Sequence, residues 1–560
     1  MRKWLLFLTV LVVLAGAFTA CKRNNQQTTA AQPPLQLTPS APVQPPPTLL
    51  RIHFAGTDEI SSNKNSIAFT NEFGCAEARA LEDQTLDKLS RAPGTWFKDK
   101  LPTGADDGSA QLRPLLDDFL KSEWVLEMRG ATDSPEYALA IRLNDTRAQL
   151  WQTNLRSLLE SWTKISARDI TNGWELKKDL RPNLFRFVRT GDWVVLGCGQ
   201  DKLPLSDEWI QTGTSLEKEA SWLSVDVDWP KLQQFFPALA KFDFPVTSLQ
   251  VTGTNGMFVL TGKFDLAQPL PPLDKWQIPT NIIHQPLISF TAARGFGPWL
   301  QNQSWSGLLN LSPEPSQLIS WALGRGPLET YVALPVPDAT NAMAQMDQNL
   351  TDNTNWQKRL LINFQKTVTT NRISWQGFPY INPELRALRE TNGDFLMADI
   401  YPMPPFGRMA PTDLYRAFSG DNVVFYHWEI TATRLQALPE VTQILLLLTK
   451  HREFDLNGPA AQWLSRIGPT LGNSVTEVVE TGPTELVFTR SAPAGLTAVE
   501  LMILANWLQA SNFPGCDLSP PPRPKVLHGP HGPVKTLSAP VPGPPPAPVH
   551  APAPPLPPPH

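Results

Sequence analysis

Histidine and cysteine are scarce in this sequence, with 8 His and 4 Cys spread over 560 residues. Outside the Pro-rich C-terminal stretch only His53, His284, His427 and His451 remain. No His-Glu-x-x-His and no Cys-x-x-Cys occurs, so the strong zinc signatures are missing. Neither a Gly-x-Ser-x-Gly elbow nor a Ser-x-x-Lys with its companion motifs is present. An excess of positive charge is also lacking. The 48 basic and 52 acidic residues give a formal net charge of −4, which argues against a nucleic-acid partner. No catalytic, cofactor-binding or metal-binding residue is nominated.

What is present begins with an address. Met1-Arg2-Lys3 precedes an apolar run from Trp4 to Ala20, the layout of an export signal that must be set aside before the fold is considered. Phe18-Thr19-Ala20-Cys21 resembles a bacterial lipobox, with Phe18 where Leu is usual, and makes Cys21 the lipidation site. Two other exits exist: cleavage after Ala15-Gly16-Ala17, giving a secreted chain, or retention of the apolar run as a membrane span. The leading expectation is a lipid-anchored protein of the bacterial cell envelope, membrane-bound and facing the periplasm.

Residues 1–20 are thus read as signal peptide and 21–48 as a polar, Pro-rich tether. Two α+β halves follow, at 49–275 and 276–518, and a Pro-rich tail closes the chain at 519–560. Pro fixes φ and removes the backbone donor, so the tail is expected to stay extended and disordered, as a spacer, a ligand for a Pro-binding groove or an inert end. Of the four Cys, Cys75, Cys198 and Cys516 remain once Cys21 is set aside, which permits at most one disulfide.

The middle of the chain repeats itself. Val246-Thr-Ser-Leu-Gln-Val-Thr252-Gly253 recurs as Val475-Thr-Glu-Val-Val-Glu-Thr481-Gly482, each followed by another β-rich run. "EYALAIRL" (136–143) matches "ETYVALPV" (329–336), and an amphipathic helix follows both. Trp151, Leu155, Leu158, Trp162 and Ile165 share one face of the first helix, and Met343, Met346 and Leu350 one face of the second. Gly191-Asp192 and Gly393-Asp394 each stand between two β-like runs, and "SWLSVDVDWPKL" pairs with "NVVFYHWEITATRL". Each half therefore reads as a mostly antiparallel sheet with helices on one face. Thr497-Ala-Val-Glu500 is a capping box that opens the last helix.

"LRIHFAGTDEISSNKNS" and "EARALEDQTLDKLSRAP", between Ile52 and Pro93, resemble an uncharacterised family of signal-bearing proteins from verrucomicrobial and related bacteria. That resemblance implies export and no particular activity. Leu81, Thr85, Leu86 and Leu89 form an apolar helix face that Pro93 ends shortly afterwards.

The remaining chemistry is thin. "HREFD" (451–455) reads as a solvated helix end, and "GRG" (324–326) as a turn. Asp106 and Asp107 in "TGADDGS" lack the alternation and closing Glu of a calcium loop. A glycosidase needs only two acids, and two strands offer them: Asp226 and Asp228, and His427 with Glu429. Strand alternation places both sets on solvated faces, with Val225 and Val227 on the core side. The 19 Trp could stack on sugar rings, although several sit at core-periodic positions. The reading is a non-catalytic binding or scaffold module for an envelope protein or glycan. The alternative is an exported glycan hydrolase with a carboxylate pair.

Overall fold

The computed structural model describes residues 47–96, 101–102, 106–130, 135–178, 183–212, 221–236, 239, 244–297, 311–324, 329–352, 365–377, 381–401, 409–437 and 457–515. Cys21, the tether up to residue 46, "HREFD", Cys516 and the Pro-rich tail lie outside them.

Strands dominate. The first ten are β1 (Thr48–Phe54), β2 (Trp124–Arg129), β3 (Glu136–Arg142), β4 (Arg168–Ile170), β5 (Gly173–Lys177), β6 (Leu184–Thr190), β7 (Trp193–Gly199), β8 (Leu223–Val227), β9 (Val246–Thr254) and β10 (Met257–Asp265). The second ten are β11 (Leu287–Arg294), β12 (Gln317–Leu323), β13 (Thr330–Val336), β14 (Gln365–Thr369), β15 (Arg372–Gln376), β16 (Glu384–Glu390), β17 (Gly393–Asp399), β18 (Val423–Ile430), β19 (Asn473–Gly482) and β20 (Glu485–Ala492). Val, Ile, Leu and aromatic residues dominate most of these runs, often at adjacent positions, as strands buried on both faces require.

All twenty belong to one open sheet with only antiparallel pairings. Followed by partner, the order is β4-β5-β6-β7-β3-β2-β1-β8-β9-β10-β20-β19-β18-β11-β12-β13-β17-β16-β15-β14. Each pairing among β1–β10 recurs among β11–β20 with both strand numbers raised by ten. Thus β1–β2, β1–β8 and β3–β7 correspond to β11–β12, β11–β18 and β13–β17. The β10–β20 ladder alone joins the two series, running from Phe258↔Ala492 to Asp265↔Glu485.

Helices cover both faces rather than one. On the first face Asp145–Thr163, Ala76–Trp96 and Ser109–Lys121 build the largest core, with Leu86, Leu89 and Trp151 buried in it. On the other face Pro204–Thr212 sets Leu205 and Trp209 against Val125, Ala138, Ala140 and Val195. Side chains alternate across the sheet, so a strand with apolar residues at adjacent positions must be covered on both sides. Pro93 does not end its helix, which runs to Trp96. The missing Pro donor falls in the last turn, where one lost bond is tolerated.

Helices at the end of the chain complete the core of the first series. Pro459–Ile467 buries Trp463, whose Nε1 donates to the Glu72 carbonyl at 2.8 Å. Ala498–Gln509 starts at the expected capping box of Thr497 and Glu500. Its C-terminal carbonyls of Leu508, Gln509 and Ala510 accept from Lys88 Nζ at 2.8, 3.3 and 3.4 Å. Cationic donation to these otherwise unpaired carbonyls is favoured by the helix dipole. Among the described residues no helix is long and apolar enough to cross a membrane.

Candidate functional site

In a pleated sheet, directly paired residues point to the same face. One transverse row can therefore be followed across seventeen strands of the first face. From β7 to β10 it reads Val194, Ile141, Trp124, Phe54, Leu223, Val251 and Leu260. From β20 to β12 it turns polar: Arg490, Thr476, His427, Thr291 and Ser320. From β13 to β14 it is apolar again, except for small Ala398: Val332, Ala398, Leu385, Ile373 and Val368. A polar strip thus interrupts a face that is apolar on either side. The apolar stretch in β1, β2 and β8 is roofed by the four helices of the β1–β2 connection. The corresponding β11–β12 connection is only residues 295–316, and His427, Thr291 and Ser320 are half-buried.

The strip is internally wired. Thr291 Oγ1 and His427 Nδ1 share a hydrogen bond of 2.8 Å, and His427 Nε2 lies 3.5 Å from Glu429 Oε2. Glu429 is 1 % exposed, so the expected solvated face is overturned here. β18 is not an edge strand, and its outward side is closed by the start of the last helix. Glu429 Oε1 accepts from the Ala498 N–H at 2.7 Å and from Thr431 Oγ1 at 3.1 Å, while Thr431 also meets Ser474 Oγ at 2.7 Å. Burial pushes the Glu429 carboxyl up, but His427, the Ala498 amide and Thr431 together hold it below the usual carboxylate range. On the β20 side Arg490 donates to Thr476 Oγ1 at 2.8 Å and pairs with Glu500 at 2.7 Å.

Arg434, just past β18, reaches across the strip. Its Nη1 donates to Thr330 Oγ1, three strands away, at 3.4 Å. Burial lowers the Arg434 pKa from its ordinary value, opposed by the charge of Glu429. No ion pair to Arg434 forms among the described residues.

Hydroxyl, imidazole and carboxylate in sequence are the parts of nucleophilic catalysis. The setting argues against attack by Thr291. It lies in mid-strand between β12 and β18, both of which take up its neighbours' backbone groups in ladders, so no adjacent amide pair is left for an oxyanion.

The other acids are placed differently. Asp226 is exposed, as the alternation implies, with Val227 buried. Asp228 instead caps the helix Trp229–Phe235, accepting from Lys231 N at 3.1 Å. Asp107 accepts from Ser109 N at 2.9 Å, which lowers its pKa, and so serves a helix start. On the opposite face Glu384 and Asp399 are direct partners on β16 and β17 and both are buried. Arg372 meets Glu384 at 2.5 Å, and Arg386 bridges both acids, 3.5 Å from Asp399. Burial pushes the Asp399 carboxyl up to about 7, with Arg386 opposing and Glu384 adding to the rise. Sequence reasoning missed this pair and Arg434, because neither carries a local motif and only strand register assembles them.

Cys75 and Cys198 are half-buried. Every Trp among the described residues is buried or half-buried. No group of three potential metal ligands occurs among the described residues. Compared with known proteins, the chain matches no family model, no curated protein and no solved structure.

Proposed function

We propose that this chain is an exported protein of the bacterial envelope, anchored through a lipid on Cys21, that works as a non-catalytic binding or scaffold module. Its Pro-rich ends set the distance of the folded region from the membrane. The two strand series are the products of an internal duplication: one copy keeps an apolar, helix-covered face and the other has turned the same face into a ligand surface. The observation that carries the binding reading is the polar strip Arg490-Thr476-His427-Thr291-Ser320, set in a row otherwise apolar from β7 to β14. The recurrence of every pairing with strand numbers raised by ten supports the duplication.

The anchor is tested by the mass of the mature N-terminus and by membrane fractionation beside Cys21→Ala. A lipid-modified Cys21, with the variant unprocessed or released, is the expected result. A soluble mature chain starting at Phe18 refutes the anchor. The strip is tested by Ser320→Trp, which fills its β12 end. Ligand binding that survives this change would place the binding surface elsewhere.

The rival, a glycan hydrolase with a carboxylate pair, has its best candidates in Glu384 and Asp399, since an acid raised to about 7 beside a second carboxylate fits acid–base chemistry. Both are enclosed and clamped by arginines, which favours a structural charge cluster. Loss of glycan-cleaving activity in Glu384→Gln, with the fold intact, would reverse that preference.

A further inference from the structure

We propose that the polar strip holds an anionic group, a carboxylate or phosphate, between Arg434 and His427, with the hydroxyls of Thr291 and Thr330 as further donors. The proposal rests on the reading of this strip as the ligand surface and names the chemistry it takes.

Two groups on the strip have donor capacity that the described residues leave unused. Arg434 carries five N–H donors in a planar fork, yet among the described residues its one hydrogen bond is the 3.4 Å contact to Thr330. His427 Nε2 is buried without a hydrogen-bond partner, its nearest acceptor being Glu429 Oε2 at 3.5 Å. A cation drawn out of water without a counter-ion is costly, and Glu429 does not fully discharge the debt of charge. Its Oε1 is already taken by the Ala498 amide and Thr431. That amide opens the helix Ala498–Gln509, whose N-terminus adds partial positive charge of its own. Arg490, the arginine of the row, is neutralised by Glu500. One carboxylate therefore faces a guanidinium, an imidazole and a helix N-terminus, and an added anion would balance the set. Arg is the side chain best shaped for this, because its fork matches carboxylate and phosphate geometry. The two hydroxyls lie on the same face: Thr291 is the direct partner of Ser320, whose own hydroxyl donates to the Tyr331 carbonyl at 3.0 Å, and Thr330 pairs with Ala322 on the neighbouring rung. The first strand series holds Phe54, Leu223 and Trp124 in the same transverse row and has no such donors there.

The test uses the full chain in detergent, titrated by calorimetry with inorganic phosphate and with acetate, against chloride at matched ionic strength. A neutral oligosaccharide panel runs in parallel. Saturable binding of phosphate or acetate is expected, and the stronger of the two identifies the source of the charge. Arg434→Gln should weaken that binding about tenfold or more, the loss of a charge-assisted pair. Ser320→Glu, which adds a like charge to the strip without touching Arg434, should do the same and covers the case in which Arg434→Gln does not fold. Anion binding unchanged in either folded variant overturns the proposal, as does wild-type silence toward both anions. Neutral sugars that bind, and are blocked by Ser320→Trp while the anions stay silent, overturn the anion proposal and leave the binding strip standing. Silence toward every ligand counts against both.

Discussion

Glu72 gives the sharpest pH prediction. It sits on the helix Ile67–Phe73, 4 % exposed, facing the helix Pro459–Ile467, and its own carbonyl accepts from Trp463. Its Oε2 has no hydrogen-bond partner. Burial pushes the carboxyl from an ordinary 4.5 to about 7, with Arg466 opposing. The folded chain thus holds this proton more tightly than the unfolded chain does. Stability from Glu72 is complete below the ordinary carboxylate value, drains away as pH rises from 4.5 to about 7, and is level above that. The whole difference is worth about 3 kcal/mol. Glu72→Gln copies the protonated shape and cannot ionise. Urea unfolding of wild type and variant at pH 4.5, 6, 7 and 8.5 should give near-equal stabilities at the acid end. The variant should then lead by an amount that grows to roughly 3 kcal/mol at the alkaline end. Two curves that stay parallel across this range would show that Glu72 is ionised at no cost in the folded chain, and the reasoning from burial would fail.

Asp399 should behave with the same sign. Asp399→Asn is expected to be more stable than wild type above pH 7 and to lose that advantage as pH falls toward 4, read by the same unfolding series. Lys88→Met removes the donor to three helix-end carbonyls and should cost about 1–3 kcal/mol, seen as a lower urea midpoint with an unchanged slope. Trp463→Ala should cost about 3–5 kcal/mol. It should also raise amide exchange in the helix Ile67–Phe73, because Trp463 packs on Phe73 with ring centroids 5.7 Å apart. Protection left unchanged there would mean that the end of the chain does not brace the first series.

Much of the architecture was legible from local pattern. The helix faces of Trp151 with Leu158 and of Met343 with Met346 follow from a 3.6-residue period, and both pairs are buried. The capping box at Thr497 and Glu500 needs only four residues to announce itself, and it forms. The Gly191-Asp192 pair forms a two-residue hairpin turn between Thr190 and Trp193. Gly393, by contrast, already begins β17 opposite Glu390. The same dipeptide serves two registers, since turn position depends on the ladder as well as on the glycine. The solvated reading of Glu429 failed for a related reason. Alternation says which residues share a face, and only the neighbouring strands and the helix at Ala498 say whether that face meets water.

The sequence by itself determined the Pro-rich ends, the strand and helix periods and the recurrence of hairpins, because each of these is written in adjacent residues. Tertiary structure alone decided that the strands form one sheet joined at β10 and β20, and that the last two helices of the chain brace its first half. It also decided that Arg490, Thr476, His427, Thr291 and Ser320, drawn from five strands, lie in one row. Those outcomes depend on cross-strand register and on contacts between residues hundreds of positions apart, and no local pattern encodes them.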